Sequence, residues 1–262
     1  MKFGFMPQFG EDLFSEIEFA KKHFDFFELT LQDDLFIYTQ EYIVKIKEAL
    51  GNFEILGHLH WEIDLSEQNI KFNQINKNIE IFKKLKINKL TVHPSVNKTL
   101  TLDKLRENNI KNLTKITDIC KDNKILLCIE NISEAPFNKA EEMEYLIKHI
   151  PNSNITFDVG HALKISEEEF NNFLKLENIK HIHLHNVIED KDHIFFYKKE
   201  NLLNRLDKLK NALNLDTITL EMFANIKNDK FHYKISKEER HKLLLKQVAW
   251  INLFKNSYQN LE

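Results

Sequence analysis

The stretch Ile155-Thr156-Phe157-Asp158-Val159-Gly160-His161 decides how this chain is read. Residues 155–157 form a short buried strand pattern that stops at a carboxylate, and three residues on stands an imidazole. Asp158 and His161 are hard-oxygen and borderline-nitrogen metal ligands on one tight turn. Gly160 lets the backbone fold sharply between them. Alone, Asp-x-x-His equally describes a capped helix start. It gains weight because other strand-like runs of this chain also end in His or Glu, as a metal site at the mouth of a barrel requires.

Outward from that stretch, strand patterns fall at 2–9, 24–31, 53–61, 89–93, 125–132, 155–157, 179–187 and 216–222. The run 125–132 is nearly continuous in apolar residues, as a strand buried on both faces should be. Helical patterns lie between them, at 12–22, 40–50, 68–85, 102–122 and 202–213, with Gly51 as a stop signal. Asn138 and Glu141 resemble a capping box for a helix ending at His149; Ser166 with Glu169 and Ser236 with Glu239 cap two more. Eight strand-helix units in one chain of this length predict a single (β/α)8 barrel domain over residues 1–262. An open doubly wound sheet is the alternative, disfavoured because no Gly-x-Gly-x-x-Gly follows the first strand.

Composition bounds the rest. A 42% hydrophobic content with 21 Phe is ample for a core, and 5 Gly with 4 Pro leave no obvious linker. The net charge is −3, with 34 Lys and only Arg106, Arg205 and Arg240 as arginines, and no basic tail exists. Avid non-specific nucleic-acid binding is therefore not expected. Cys120 and Cys128 give neither a disulfide framework nor a zinc ribbon, and Cys128 reads as a core filler. No signal peptide or membrane-length apolar run is present, so the expectation is a soluble cytoplasmic protein.

In such a barrel, chemistry sits at the C-terminal strand ends. The third strand offers His58 and His60, the fourth His93, the fifth Glu130, the sixth Asp158 with His161 beyond it. The seventh offers His181, His183 and His185, followed by Asp190, Asp192 and His193, and the eighth Glu221. A strand has a side-chain period of two, so His181, His183 and His185 share one face, as do His58 and His60. Any one strand-end histidine is ordinarily a hydrogen-bonded core or surface residue. Glu130 and Glu221, set in apolar runs, are harder to explain without a partner, because an unpaired buried carboxylate is costly. For Glu28 the plainer alternative is an ion pair at the barrel mouth, and for His60, His181 and His185 a supporting or packing role.

The order His58, His93-Pro94, Glu130-Asn131, Asp158-Val159-Gly160-His161, His183 and Glu221 resembles the xylose-isomerase-like TIM barrels. These include endonuclease IV, hydroxypyruvate isomerase and ketose 3-epimerases. The resemblance spans nearly the whole chain, on Thr-Val-His-Pro, Ile-Glu-Asn, Asp-Val-Gly-His-Ala and His-Leu-His-Asn. In the isomerase and epimerase branch it implies one divalent metal, Mn, Mg or Zn, on Glu130, Asp158, His183 and Glu221, with Glu130 and Glu221 also moving protons. In the endonuclease IV branch it implies three zinc ions and further ligands at His58, His93, His161 and an Asp-x-His pair ending at His193. Here Lys191 stands two residues before His193, so Asp190 or Asp192 would have to substitute. Ile132-Ser133-Glu134 replaces the Thr-Ala-Gly of that branch, and Val159-Gly160 replaces its Thr-Cys.

Two enzymes are therefore expected from this sequence. One is a metal-dependent isomerase or epimerase of a sugar or sugar phosphate, with Glu130 and Glu221 as base and acid. The other is a polynuclear phosphoester hydrolase, with abasic DNA as one substrate and nucleic acid as a partner only in that case. A non-catalytic metal-binding barrel is the third reading. Glu28, His60 and His185 are expected to contact substrate. His58, His93 and Glu130 supply three ligands from successive strands, which predicts a second metal bridged by Glu130.

Overall fold

The computed structural model describes residues 1–8, 10–31, 37–60, 63–68, 70, 72–227, 230–232 and 235–259. The expected strand ends at Phe9 and Trp61, and the expected helical positions Asn69 and Lys71, lie outside them.

Each strand of the sequence pattern forms, because each alternates one face toward the axis and one toward a helix. The barrel strands are β1 (Lys2–Phe5), β2 (Phe26–Thr30), β3 (Glu54–His58), β4 (Lys89–Val92), β5 (Leu126–Glu130), β6 (Asn154–Asp158) and β7 (Ile179–Leu184). Two short strands, β8 (Asn186–Ile188) and β9 (Lys191–Ile194), then form a hairpin, and β10 (Thr217–Leu220) is the eighth barrel strand. A second hairpin comes next, of β11 (Asn225–Lys227) and β12 (Lys230–His232). The closed order is β1-β10-β7-β6-β5-β4-β3-β2, with every neighbour parallel. This is the expected (β/α)8 barrel.

The helices are α1 (Leu13–His23), α2 (Gln40–Leu50), α3 (Phe72–Lys84), α4 (Leu102–Asp122), α5 (Ala140–His149), α6 (Val159–Ile165), α7 (Glu167–Phe173), α8 (Lys199–Ala212) and α9 (Lys237–Gln259). They bury Ile17, Leu113, Ile116, Phe170 and Phe173 against outward strand residues such as Leu127, Ile129 and Phe157. Phe157 stacks on Phe173 with ring centroids 4.7 Å apart. Gly51 ends α2 at φ 60°, the left-handed position a glycine takes without strain. Among the described residues, no helix is long and apolar enough to cross a membrane.

Three details differ from the sequence reading. The Asn138–Glu141 capping box does not form: Lys139 is the N-cap of α5 and makes no side-chain bond. Instead Glu169 of α7 reaches across and accepts the Ala140 N–H at 2.6 Å, doing the same electrostatic work from a neighbouring helix. The seventh strand stops at Leu184, and the chain from Asn186 to Ile194 folds back on itself as the β8–β9 hairpin. Gly160 is not in the left-handed region, where only Gly10 and Gly51 are found among glycines, so a sharp turn is not its role.

Candidate metal centre

Inward positions at the strand ends bring four buried carboxylates together: Glu28, Glu130, Asp158 and Glu221. The ionisable groups paired with them are histidines. Ligand-type atoms of Glu130, Asp158, His183 and Glu221 all lie within 4.8 Å of one another. Nδ1 of His183 stands 3.2 Å from Glu130 Oε1 and 2.9 Å from Glu221 Oε2. All three atoms are buried, yet none makes a hydrogen bond. One orphaned buried atom is costly; three converging on a point match a cation with bonds of about 2 Å.

A second group shares Glu130. Its Oε2 lies 3.1 Å from His58 Nε2 and 3.0 Å from His93 Nε2. The hydrogen-bond partners assign the histidine tautomers. His58 donates from Nδ1 to Leu59 O at 2.8 Å, His161 from Nδ1 to Asn131 O at 2.9 Å, and His193 from Nδ1 to Glu221 O at 3.1 Å. His161 and His193 are left with a lone pair on Nε2, the arrangement that metal-ligating histidines use, whereas Nε2 of His58 donates to Glu130 and would give up that proton to bind an ion.

A third group is His161, His185 and His193, again within 4.8 Å. His185 has both nitrogens engaged. Its Nδ1 accepts the His193 backbone N–H at 2.9 Å, and its Nε2 donates to Asp158 Oδ2 at 3.1 Å, with Oδ1 at 3.0 Å beside it. It therefore holds Asp158 in place. Gly160 makes the room: a Cβ there would lie 1.8 Å from His185 Cε1. His193 has a left-handed backbone, φ 53°, uncommon for a residue with a side chain and held here by these bonds. Neither expected aspartate joins it: Asp192 pairs with Lys164 at 2.8 Å, and Asp190 is exposed beside Lys191.

Asp158 also caps α6, accepting the His161 N–H at 2.6 Å, so the capped-helix reading and the ligand reading both describe it. Asn131 braces it from the next strand, donating to Asp158 O at 2.9 Å and accepting Asp158 N–H at 2.7 Å.

Burial opposes the charge of each carboxylate, but the histidines outweigh it. His183 and His93 hold Glu130 well below the usual range; His161 and His185 lower Asp158; His183 and His193 lower Glu221. Conversely, burial would lower His183, while Glu130, Glu28 and Glu221 drive it well above its ordinary value.

Above the cluster opens a cavity of about 900 Å³, whose wall includes Gln8, His58, His93, Ser95, Lys98, Glu130, His161, His193, Glu221 and Phe223. Glu28, His60 and His185, expected to touch substrate, do not line it and are buried. Glu28 lies beneath His183, toward the barrel interior, because its strand position faces the axis one layer below the mouth. What the sequence reading missed is a polar interior made by Lys89, Thr91, Thr217 and Thr219. The signal was present: Lys89, Thr91 and His93 share a strand face, as do Thr217, Thr219 and Glu221.

The profile of the family described as "Xylose isomerase-like TIM barrel" matches residues 17–240. No curated protein matches the sequence. Among solved structures, a D-tagatose 3-epimerase-like protein is 22% identical with a TM-score of 0.74, covering 98% of this chain and 100% of that one. IolI protein with a bound zinc atom is 17% identical, TM-score 0.75, covering 97% and 99%. D-psicose 3-epimerase with D-tagatose, from Clostridium cellulolyticum H10, is 14% identical, TM-score 0.72, covering 98% and 99%.

Proposed function

We propose that the chain, which belongs to the xylose isomerase-like TIM barrel family, is a divalent-metal-dependent isomerase or epimerase of a small sugar. The observation that carries the metal is the convergence of Glu130 Oε1, His183 Nδ1 and Glu221 Oε2, buried and without hydrogen bonds. Glu130, Asp158, His183 and Glu221 would hold the ion. When bound, a divalent cation polarises a carbonyl and the hydroxyl beside it.

The protein's own groups supply the proton transfers. Glu130 and Glu221 are kept in the basic form by the histidines around them, as the removal of a proton from a carbon beside a carbonyl requires. Both stand on the cavity wall. One takes the proton from the carbon, and the other, after taking up a proton from solvent, delivers it to the carbon. Neighbours named as epimerases of D-tagatose and D-psicose support a sugar as the substrate.

The arginines favour an uncharged sugar over a phosphorylated one. Arg106 pairs with Glu142, Arg205 with Glu167 and Arg240 with Glu16, so none reaches the cavity. Lys98 is the one lysine on its wall among the described residues. A bidentate phosphate clamp of the arginine type is absent from that wall.

The test is incubation of the Mn²⁺-loaded protein with a panel of ketoses and aldoses in D₂O. The expected result is one deuterium at the epimerised or isomerised carbon, lost in Glu130→Gln and Glu221→Gln. Absence of exchange with every sugar and sugar phosphate would overturn the reading.

One observation favours a second reading, a polynuclear phosphoester hydrolase. His58 and His93 meet Glu130 Oε2 in a second three-ligand group that a one-metal isomerase does not need. Cleavage of an abasic duplex by the zinc-loaded protein, with no sugar exchange, would establish it.

A further inference from the structure

The barrel interior beneath the metal group is polar, where such barrels usually carry branched apolar side chains. It contains one continuous line of hydrogen bonds. Lys89 Nζ donates to Thr217 Oγ1 at 2.7 Å and to Lys180 O at 2.9 Å. Thr217 Oγ1 lies 2.8 Å from His181 Nδ1. His181 Nε2 lies 2.9 Å from Glu28 Oε2, and Thr219 Oγ1 donates to the same oxygen. Glu28 Oε1 lies 3.1 Å from His183 Nε2. Glu28, His181, His183 and Thr219 are fully buried.

The direction of every bond in this line follows from its two ends. An ammonium has only donors, and a carboxylate has only acceptors. Thr217 Oγ1 accepts from Lys89 and so has its own proton to give to His181 Nδ1. His181 then carries its proton on Nε2 and donates it to Glu28. The second Glu28 oxygen can only accept, so His183 must carry a proton on Nε2. In the neutral ring the lone pair then lies on Nδ1, the atom found among Glu130 and Glu221 with no hydrogen bond.

We propose that Glu28 is a positioning residue for the metal centre: held by the Lys89–Thr217–His181 line, it fixes the orientation and tautomer of His183 so that Nδ1 is presented as a ligand. The proposal rests on the reading of Glu130, Asp158, His183 and Glu221 as metal ligands. Glu28 itself is fully buried and lies off the cavity wall. A carboxylate behind a ligating imidazole raises its basicity and locks its plane, and loss of such a partner typically costs about 10- to 100-fold in metal affinity.

Two measurements test it. The first needs no variant: ¹⁵N imidazole spectra of the zinc-loaded protein should show the His183 proton on Nε2. A proton on Nδ1 would overturn the proposal. If the chain takes up no metal, the functional reading fails separately, and the tautomer is read on the metal-free protein at a pH where the ring is neutral. The second is Co²⁺ binding, followed by equilibrium dialysis and visible absorption. Glu28→Gln should weaken it by roughly tenfold or more. The amide offers one acceptor to two N–H groups, so one histidine must reorient. Thr217→Val, which cuts the line further away, should weaken it less and keep the wild-type spectrum shape. Wild-type Co²⁺ affinity in a folded Glu28→Gln protein would overturn the proposal; should that variant not fold, the wild-type tautomer decides.

Discussion

The imidazole of His185 occupies the space that a side chain at Gly160 would need, with an ideal Cβ falling 1.8 Å from His185 Cε1. The contact explains the glycine between two candidate ligands. Gly160→Ala must push the ring off Asp158, to which it now donates at 3.1 Å. Overpacking of this kind costs about 1–3 kcal/mol. The expected outcome is a lower urea midpoint and weaker metal binding in Gly160→Ala. On a His185→Ala background, the same substitution should add little. Full additivity of the two changes in a double-mutant cycle would contradict the packing argument.

The number of metal ions separates the two functional readings. His58 and His93 both face Glu130 Oε2, at 3.1 Å and 3.0 Å, while Glu130 Oε1 faces His183. One oxygen toward each group is the arrangement of a bridging carboxylate in a two-metal site. In elemental analysis, the isomerase reading requires only one ion per chain, unchanged after His58→Ala or His93→Ala; two ions in the wild type, falling to one in either variant, would favour the hydrolase. Under either reading Glu130→Gln should lose bound metal and all activity while keeping its circular dichroism spectrum, because Glu130 belongs to both groups. Unchanged metal content in both histidine variants would leave a one-metal centre.

The fold is legible in the sequence because eight short strand-like runs, one of them (125–132) nearly continuous in apolar residues, are separated by helical patterns and can be counted. The ends of the strands are legible for the same reason: Glu130 and Glu221 stand out in apolar runs. Supporting contacts are harder to read. The capping of α5 by Glu169 depends on two helices meeting, which no local spacing encodes. Gly160 reads as a turn residue in the sequence because the ring that fills its space comes from residue 185, a strand away. Glu28 reads as a residue of the mouth because it is the one carboxylate of its strand; the strand runs on two residues beyond it to Thr30, and the carboxylate lies one layer below, under His183.

Closure of the barrel between its first and last helices rests on a buried ion pair. Arg240 of α9 is fully buried and bonds to Glu16 of α1, which is also buried and accepts from His241 Nε2 at 2.8 Å. His241 in turn stacks on Phe19, ring centroids 3.6 Å apart. Removing one partner strands the other charge in the interior, at about 3–5 kcal/mol. Glu16→Gln should therefore lower stability by roughly that amount in urea denaturation, with metal content unchanged. The paired apolar replacement Glu16→Leu with Arg240→Met should recover most of the loss. A Glu16→Gln protein as stable as wild type would show that this pair does not hold the helices together.

Stability and metal affinity should both depend on pH. In the metal-free protein the positive counter-charge for Glu130, Glu28 and Glu221 is His183, which burial would keep neutral but those carboxylates drive well above its ordinary value of 6.5. A raised histidine contributes stability that is fully present below pH 6.5 and is lost as pH rises through its folded value. Above that point the buried carboxylates face one another without their imidazolium. Glu130 and Glu221 run the other way: both are lowered, so their contribution is present above their ordinary value of 4.5 and is lost in acid as they protonate. A metal ion replaces the His183 proton, so binding releases it, and affinity should rise by up to about tenfold per pH unit while His183 remains protonated. Thermal denaturation with and without a chelator, from pH 6 to pH 9, reads both effects. The metal-free protein should weaken toward alkaline pH, and the gap to the metal-loaded protein should widen. A gap that stays constant across that range would mean that no histidine proton is exchanged for the metal.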